Sequence, residues 1–340
     1  MPWPTSVTVC REPDPRTTVV SGVGSVREQL GAQLVEHAVR RPFLFGQLLV
    51  GEDGSDGSPA TELVRETLGD VWEPAAGAGD ADALVAVGDA GTMRAAQLMH
   101  RDLDGPAVPL LWVSTTLAVA EGLRSPGQEA RPMTTFLDGE VAISTADSVW
   151  CETGVQALDG ALASYLGSAG SEPFLDPLLE SAASALGTLL PRSRGTDAVA
   201  ERQHLLTAAW MAAAPQPRLA GGSRGAWFAT AARRALAAVL DVPERIGSCV
   251  AVLPGLRFHA AEDAERQLTL KRSLSWSDSV TYASLHEAVR ALLDRLEVPR
   301  RLRDIGVGDD RLDDVVRAML DDAPQLGPPE RLRAACASMC

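Results

Sequence analysis

The segment Asp82-Ala83-Leu84-Val85-Ala86-Val87-Gly88 is apolar after its first residue and closes on glycine. Such a run suits a strand covered on both faces, as in a parallel sheet. Upstream, Thr18-Val19-Val20-Ser21-Gly22 has a similar form, and Phe43 to Val50 reads as another buried strand. Downstream, Val108 to Val113 reads as the next strand, followed by Ser114-Thr115-Thr116. Helical stretches lie between them. Ser25 to Val39 puts Val26, Leu30, Leu34 and Ala38 on one face. Ala60 to Leu68 forms a second helix, after a Gly/Asp/Ser loop over Gly51 to Ser58, and a third runs from the glycine turn through His100. Strand-helix alternation of this kind implies an α/β domain with a parallel, Rossmann-like sheet.

Beyond Ser144 the texture changes. Ala/Leu-rich helices follow one another over Ser148 to Tyr165, Leu175 to Leu190, Thr196 to Ala214, Trp227 to Leu240 and Ser279 to Leu296. A helix over Asp309 to Asp322 sets Leu312, Val315, Val316, Met319 and Leu320 on one face. Pro328-Pro329 opens a last short helix. The expected organisation is an α/β domain over 1–144 and an all-helical domain over 145–340. No internal repeat is evident.

Composition narrows the function classes. The chain has 340 residues, 45 acidic against 31 basic, and a net charge of −14. An acidic balance argues against binding a phosphate backbone, which needs clustered Lys and Arg, so nucleic acid is not an expected partner. Lys271 is the only lysine, so the other basic residues are arginines. No apolar run approaches the roughly 18 residues of a membrane span. Met1-Pro2-Trp3-Pro4 has neither the basic nor the apolar region of a secretory leader. Cys10, Cys151, Cys249, Cys336 and Cys340 form no CxxC pair, which suits reduced thiols. The expectation is a cytoplasmic globular protein with a small-molecule substrate and no membrane partner.

Several segments together resemble one family. Val20-Ser21-Gly22-Val23-Gly24-Ser25-Val26 is similar to its opening strand and Gly-x-Gly-Ser turn. Asp82 to Gly88 is similar to the strand before its glycine-rich loop. Val113-Ser114-Thr115-Thr116-Leu117-Ala118 with Glu121 resembles its Pro-Thr-Thr-x-Ala-x-x-Glu stretch. Gly154-Val155-Gln156-Ala157-Leu158 resembles its Gly-Met-Asp/Asn-Ala-Leu helix. Val242-Pro243 with Val250 to Pro254 resembles its Val-Pro-His…Val-Leu-Pro segment. The family is the iron-containing alcohol dehydrogenases, with maleylacetate reductases as the nearest branch and dehydroquinate synthases sharing the fold. The resemblance spans nearly the whole chain in order, and it implies a dehydroquinate synthase-like fold and a homodimer.

The resemblance also implies sites. The family holds the pyrophosphate of NAD(P) over a Gly-Gly-Gly-Ser loop. Here that loop reads Gly88-Asp89-Ala90-Gly91-Thr92, with Arg94 where the alcohol dehydrogenases carry aspartate. Asp89 sets a carboxylate where phosphate would lie, and Ala90 adds a Cβ where close approach is wanted. The family holds its metal with one Asp and three His. Gln156 and Gly160 take the first two places, at i and i+4 on one helix. Thr230 and Glu244 take the other two, and Arg234 replaces a further active-site histidine. In maleylacetate reductases the aspartate is commonly asparagine, which Gln156 matches. The expectation is a site without metal. Between Trp72 and Asp82 the chain is too short for the helix the family has there, so one crossover is trimmed to a loop.

Three readings stand open. The first is a repurposed, metal-free and nucleotide-independent enzyme. It would carry out a non-redox step (cyclisation, isomerisation or dehydration) in an interdomain cleft, as in secondary metabolism. Glu244, Arg234 and His259 would supply acid, base or charge, and Gln156, Gly160, Thr230, Thr115, Thr116 and Arg257 would contact substrate. The second is a metal-independent reductase resembling maleylacetate reductase. It would use NAD(P)H held by Gly88, Gly91, Thr92 and Arg94. The third is an inactive scaffold or partner subunit. Cys151 reads as a core thiol, Cys336 and Cys340 as surface thiols, and Arg233-Arg234 as a solvated helix face or as salt-bridge partners.

Overall fold

The computed structural model describes residues 8–11, 17–46, 58–69, 72, 75, 77–103, 108–123, 132–167, 173–213, 227–273, 281–308 and 310–340. The loop over 51–57, residues 70, 71, 276, 279 and 309, and the second half of the expected 43–50 strand lie outside them. Contacts group the chain into two units. One holds the residues through Asp147 together with Ser193–Thr207, and the other holds Ser148–Arg192 with Ala208–Cys340.

Among the described residues the first unit is built on six strands: β1 Thr8–Arg11, β2 Thr18–Ser21, β3 Pro42–Gly46, β4 Ala83–Gly88, β5 Leu110–Ser114 and β6 Thr134–Leu137. Their order is β1-β2-β6-β5-β4-β3. All neighbours are parallel except β1, which runs antiparallel to β2 at the edge. The sequence reading expects neither β1 nor β6. β6 reads Thr134-Thr135-Phe136-Leu137, half polar, yet all four residues are buried. Thr134 Oγ1 donates to Gln33 Oε1 at 2.9 Å, which lets a polar residue sit in the sheet.

Helices α1 (Ser25–Glu36), α2 (Pro59–Leu68) and α3 (Ala90–Arg101) connect successive strands. α1 ends at Glu36, short of the expected Val39; Ala38 takes a positive φ of 57°, which ends the helix. Val26, Leu30 and Leu34 of α1 and Ala60, Val64 and Leu68 of α2 share one core cluster with Ala83, Val85, Val87, Leu111, Val113 and Phe136. These strand residues alternate, so they form one face of the sheet. Leu84, Ala86, Leu110 and Trp112 point the other way, to the face α3 covers. α2 and α3 therefore lie on opposite faces, although both connections step the same way along the sheet. Right-handed crossovers would put them on one face. The cause is the short return from α2 to β4. Among the described residues it holds only a 3-10 turn at Ala78–Asp80, with no helix to bring the chain back over the far face. The trimmed crossover expected from the sequence is this return; the β3-to-β4 connection itself keeps α2.

Short helices α4 (Val119–Leu123) and α5 (Gly139–Ala142) follow β5 and β6. The first unit also takes the start of α8 (Val199–Ala213), which a single boundary near residue 144 does not provide for. Arg202, 1% exposed, explains why. It donates to the carbonyls of Ser193, Ala142 and Thr145, at 3.1, 2.7 and 2.8 Å, and to Asp147 at 2.6 Å. Gln203 beside it donates to Ser21 Oγ and the Leu137 carbonyl and accepts from the Gly139 N–H.

Among the described residues the second unit contains helices and no strand. They are α6 (from Asp147 to Leu166), α7 (Leu175–Leu189), the end of α8, α9 (Phe228–Leu240), α10 (Glu244–Phe258), α11 (Ala264–Ser273), α12 (Leu285–Leu296), α13 (Leu312–Asp322) and α14 (Pro329–Ala337). α12 starts at Leu285, not near Ser279, because Ser284 caps it by accepting the Glu287 N–H at 3.1 Å. α13 begins at Leu312. Cys336 is not a surface thiol: it is fully buried against Met319, at 3.6 Å between sulfurs. No helix among the described residues is long and apolar enough to cross a membrane.

Candidate functional site

Ligands of open α/β sheets lie beyond the carboxyl ends of the strands. In the first unit that edge carries Ser21, Gly88, Ser114, Thr115, Thr116 and Asp138. α3 starts two residues after β4, with Asp89 as its N-cap. The Asp89 carboxylate accepts the Thr92 N–H at 2.9 Å and the Thr92 hydroxyl at 3.1 Å. The same device recurs at α2. Ser58 is the N-cap, accepts the Thr61 N–H at 3.2 Å, and its hydroxyl lies 3.0 Å from that of Thr61. In both cases the threonine is the third helical residue and packs on the glycine that ends the preceding strand. A Cβ on Gly46 would collide with Thr61, and one on Gly88 with Thr92. Gly88 also has a φ of +153°, which excludes other residues at low cost. Gly88 is thus held by Thr92 from its own chain.

This tests the nucleotide site that the resemblance implies. The first-turn N–H that would face a pyrophosphate is taken by Asp89, and the cap adds a negative charge at the same place. With Asp89 so placed, a pyrophosphate at the α3 N-terminus would have to displace this carboxylate. Gly91 and Arg94 are exposed and Thr92 is buried. α1 is closed in the same way. Asp138, wholly buried, accepts the N–H groups of Gly24 at 3.0 Å, Val26 at 2.9 Å and Glu140 at 3.0 Å. Burial pushes its carboxyl pKa up, against the three N–H donors that pull it down. Thr115 and Thr116 are buried, and Thr116 Oγ1 has no hydrogen-bond partner among the described residues.

In the second unit the positions matched to metal ligands do not fit a metal. Gln156 is buried on α6, Gly160 has no donor, and Thr230 is half-buried on α9. Glu244 opens α10 and is ion-paired with Arg233, which is buried: of the two readings of Arg233, salt-bridge partner and not solvated face is the one found. A neutral amide, a hydroxyl and a neutralised carboxylate make a poor donor set for iron or zinc. Among the described residues no group of three His, Cys, Asp or Glu gathers anywhere.

Glu244 and Arg234 do not pair. Arg234 is exposed and bonded to Asp322 of α13 at 3.2 Å. His259 caps the far end of α10. Its Nε2 accepts the Phe228 N–H at 3.2 Å, its Nδ1 faces Glu262 at 3.3 Å, and its ring stacks on Trp227 at 4.8 Å. Burial first, and the Arg331 charge last, hold its pKa below the ordinary value, while Glu262 and Asp263 oppose them. Arg257 is exposed; its charge, after burial, lowers the pKa of His286. A further buried carboxylate in this unit is Asp159, one residue before Gly160. It accepts the Trp227 indole N–H at 3.1 Å and the Ser248 hydroxyl at 3.2 Å. Sequence reasoning passed over Asp159, although an acid inside Val155–Leu162 is a signal by itself.

The family model "Fe-containing alcohol dehydrogenase family, C-terminal" matches residues 150–335. No curated protein sequence matches the chain significantly. Among solved structures, a putative alcohol dehydrogenase from Ralstonia eutropha JMP134 is 19% identical with a TM-score of 0.76, over 100% of this chain and 98% of its own. An iron-containing alcohol dehydrogenase from Corynebacterium glutamicum is 17% identical with a TM-score of 0.75, over 98% and 97%. Maleylacetate reductase from Rhizobium sp. strain MTP-10005 is 16% identical with a TM-score of 0.73, over 98% of both. These structures share the fold, and the family match covers more than half of the sequence: the chain belongs to the Fe-containing alcohol dehydrogenase family.

Proposed function

We propose that the chain is a metal-independent reductase that uses NAD(P)H to reduce a carbonyl or enoate group of a small organic molecule. The observation that carries this reading is the family match over 150–335, in a chain whose metal-ligand positions hold Gln156, Gly160, Thr230 and an Arg233-bound Glu244. Maleylacetate reductases share the fold, and their name states a reduction. When bound, the nucleotide would supply the hydride. This chain's own groups would bind and orient the substrate. Glu244 is partly exposed despite its ion pair, so it can meet a ligand, whereas both nitrogens of His259 are engaged in structure.

The test is cofactor consumption by EDTA-treated protein with a panel of keto and enoate acids. NADH or NADPH oxidation is expected, unchanged when iron or zinc is returned. Turnover only after metal addition, or none with either nucleotide, would sink this reading.

A second reading is favoured by Asp89 alone. A carboxylate at the α3 N-terminus suits a protein that needs no nucleotide and performs a non-redox step, such as isomerisation or dehydration. Substrate conversion without added nucleotide would select it.

A further inference from the structure

We infer that Asp89 is a built-in competitor for the nucleotide's pyrophosphate, and that this one side chain holds nucleotide affinity below what the rest of the site would give. The inference rests on the nucleotide-dependent reading above and deepens it.

An anion binds a helix N-terminus through free N–H groups and the positive end of the helix dipole. At α3 the Thr92 N–H and hydroxyl both point at Asp89 Oδ1. Gly91 leaves room there, but what lies 3.2 Å from its missing Cβ is again Asp89 Oδ1. A pyrophosphate reaching this turn must displace a carboxylate, and a displaced carboxylate of like charge remains beside it. The neighbouring alternative is closed too, because Asp138 already accepts the Gly24 and Val26 N–H groups at α1.

The molecule also supplies its own control. At α2 a serine, Ser58, makes the same pair of bonds to Thr61 that Asp89 makes to Thr92, and the strand-end glycine is packed in the same manner. Serine therefore supports this cap without charge. Asp89→Ser is the variant that removes the competitor while keeping the helix start. Asp89→Asn removes the charge and keeps an oxygen acceptor, as a second variant should the first fold poorly.

The experiment titrates wild type, Asp89→Ser and Asp89→Asn with NADH and NADPH, reading binding by nucleotide fluorescence. Both variants are expected to bind on the order of tenfold to a hundredfold more tightly than wild type, the scale of one like-charge contact in a partly shielded site. Salt should narrow the gap by screening the wild-type repulsion. Equal affinity in all three proteins overturns the inference and leaves the reductase reading standing. No binding by any of them overturns both. Cofactor oxidation by wild type is scored separately, so the two failures stay apart.

Discussion

The two units use buried charge differently. In the α/β unit, buried and half-buried charged groups answer mainly the backbone, although Arg202 also meets Asp147. Asp138 and Asp89 accept first-turn N–H groups, and Arg202 gathers three carbonyls. In the helical unit, charge mostly answers charge across helices, as in Arg245 with Glu152 and Arg233 with Glu244; Arg266 joins both habits, meeting Asp176 at 2.8 Å and the Tyr165 carbonyl at 2.6 Å. A backbone partner cannot be mutated away, whereas a charged partner can. Loss of one side of each arrangement should therefore have different consequences. The first arrangement also occupies the polar ends of helices at the sheet edge, where a ligand would otherwise bind.

The sharpest way to break the comparison is Arg202→Ala. It strands three carbonyls and leaves a void, so we expect a loss of about 3–5 kcal/mol by urea unfolding. No second substitution should recover it. Asp138→Ala comes next. Three N–H groups lose a charged acceptor, for about 2–3 kcal/mol. In the helical unit, Arg245→Met alone should cost less than Arg202→Ala, and adding Glu152→Leu should recover most of the loss, because a largely buried pair can be exchanged for apolar packing. A double variant as unstable as the single one would erase the distinction between the units. At the caps, Asp89→Ala and Ser58→Ala should each cost about 1 kcal/mol, and Asp89→Ser only a few tenths.

The smallest expected effect is one of pH. Burial holds the His259 pKa below its ordinary 6.5, so the unfolded chain takes up a proton before the folded one does. Its contribution is complete above pH 6.5 and is lost as pH falls through the folded value. His259→Gln should flatten the melting-temperature profile in that window. The part owed to His286, also lowered by burial, should remain. An unchanged slope would mean that His259 is solvated in solution.

Much of the fold could be read in the chain because apolar pattern follows period. Asp82 to Gly88 and Ser148 to Tyr165 fall within a residue or two of β4 and α6. β6 escaped because two of its four residues are threonines: Thr134 meets a partner more than a hundred positions away, and Thr135 Oγ1 is buried with no hydrogen-bond partner among the described residues. α10 escaped because Pro254 interrupts the pattern, although the helix continues through it. The site was harder. Asp89 is adjacent in sequence to the turn it closes, so its conflict with phosphate was visible. Asp138 and Asp159 act through residues 68 to 114 positions distant, and single-sequence spacing carries no sign of that. The same limit applied to Arg233 and Arg234: neighbours in the chain, they face different helices and have separate partners.

The glycine-threonine contact that ends β3 and β4 has a consequence for how these positions can vary. At Gly46 the backbone has no positive φ, and the three atoms nearest to an added Cβ all belong to Thr61. Gly46→Ala should then be harmful alone and tolerated beside Thr61→Gly, a form of epistasis confined to two residues. At Gly88 the positive φ adds a backbone constraint, so trimming Thr92 should restore only part of the loss. Two sites of the same design thus differ in evolvability: one pair can drift together, while the other is locked on glycine whether or not a ligand ever lies above it.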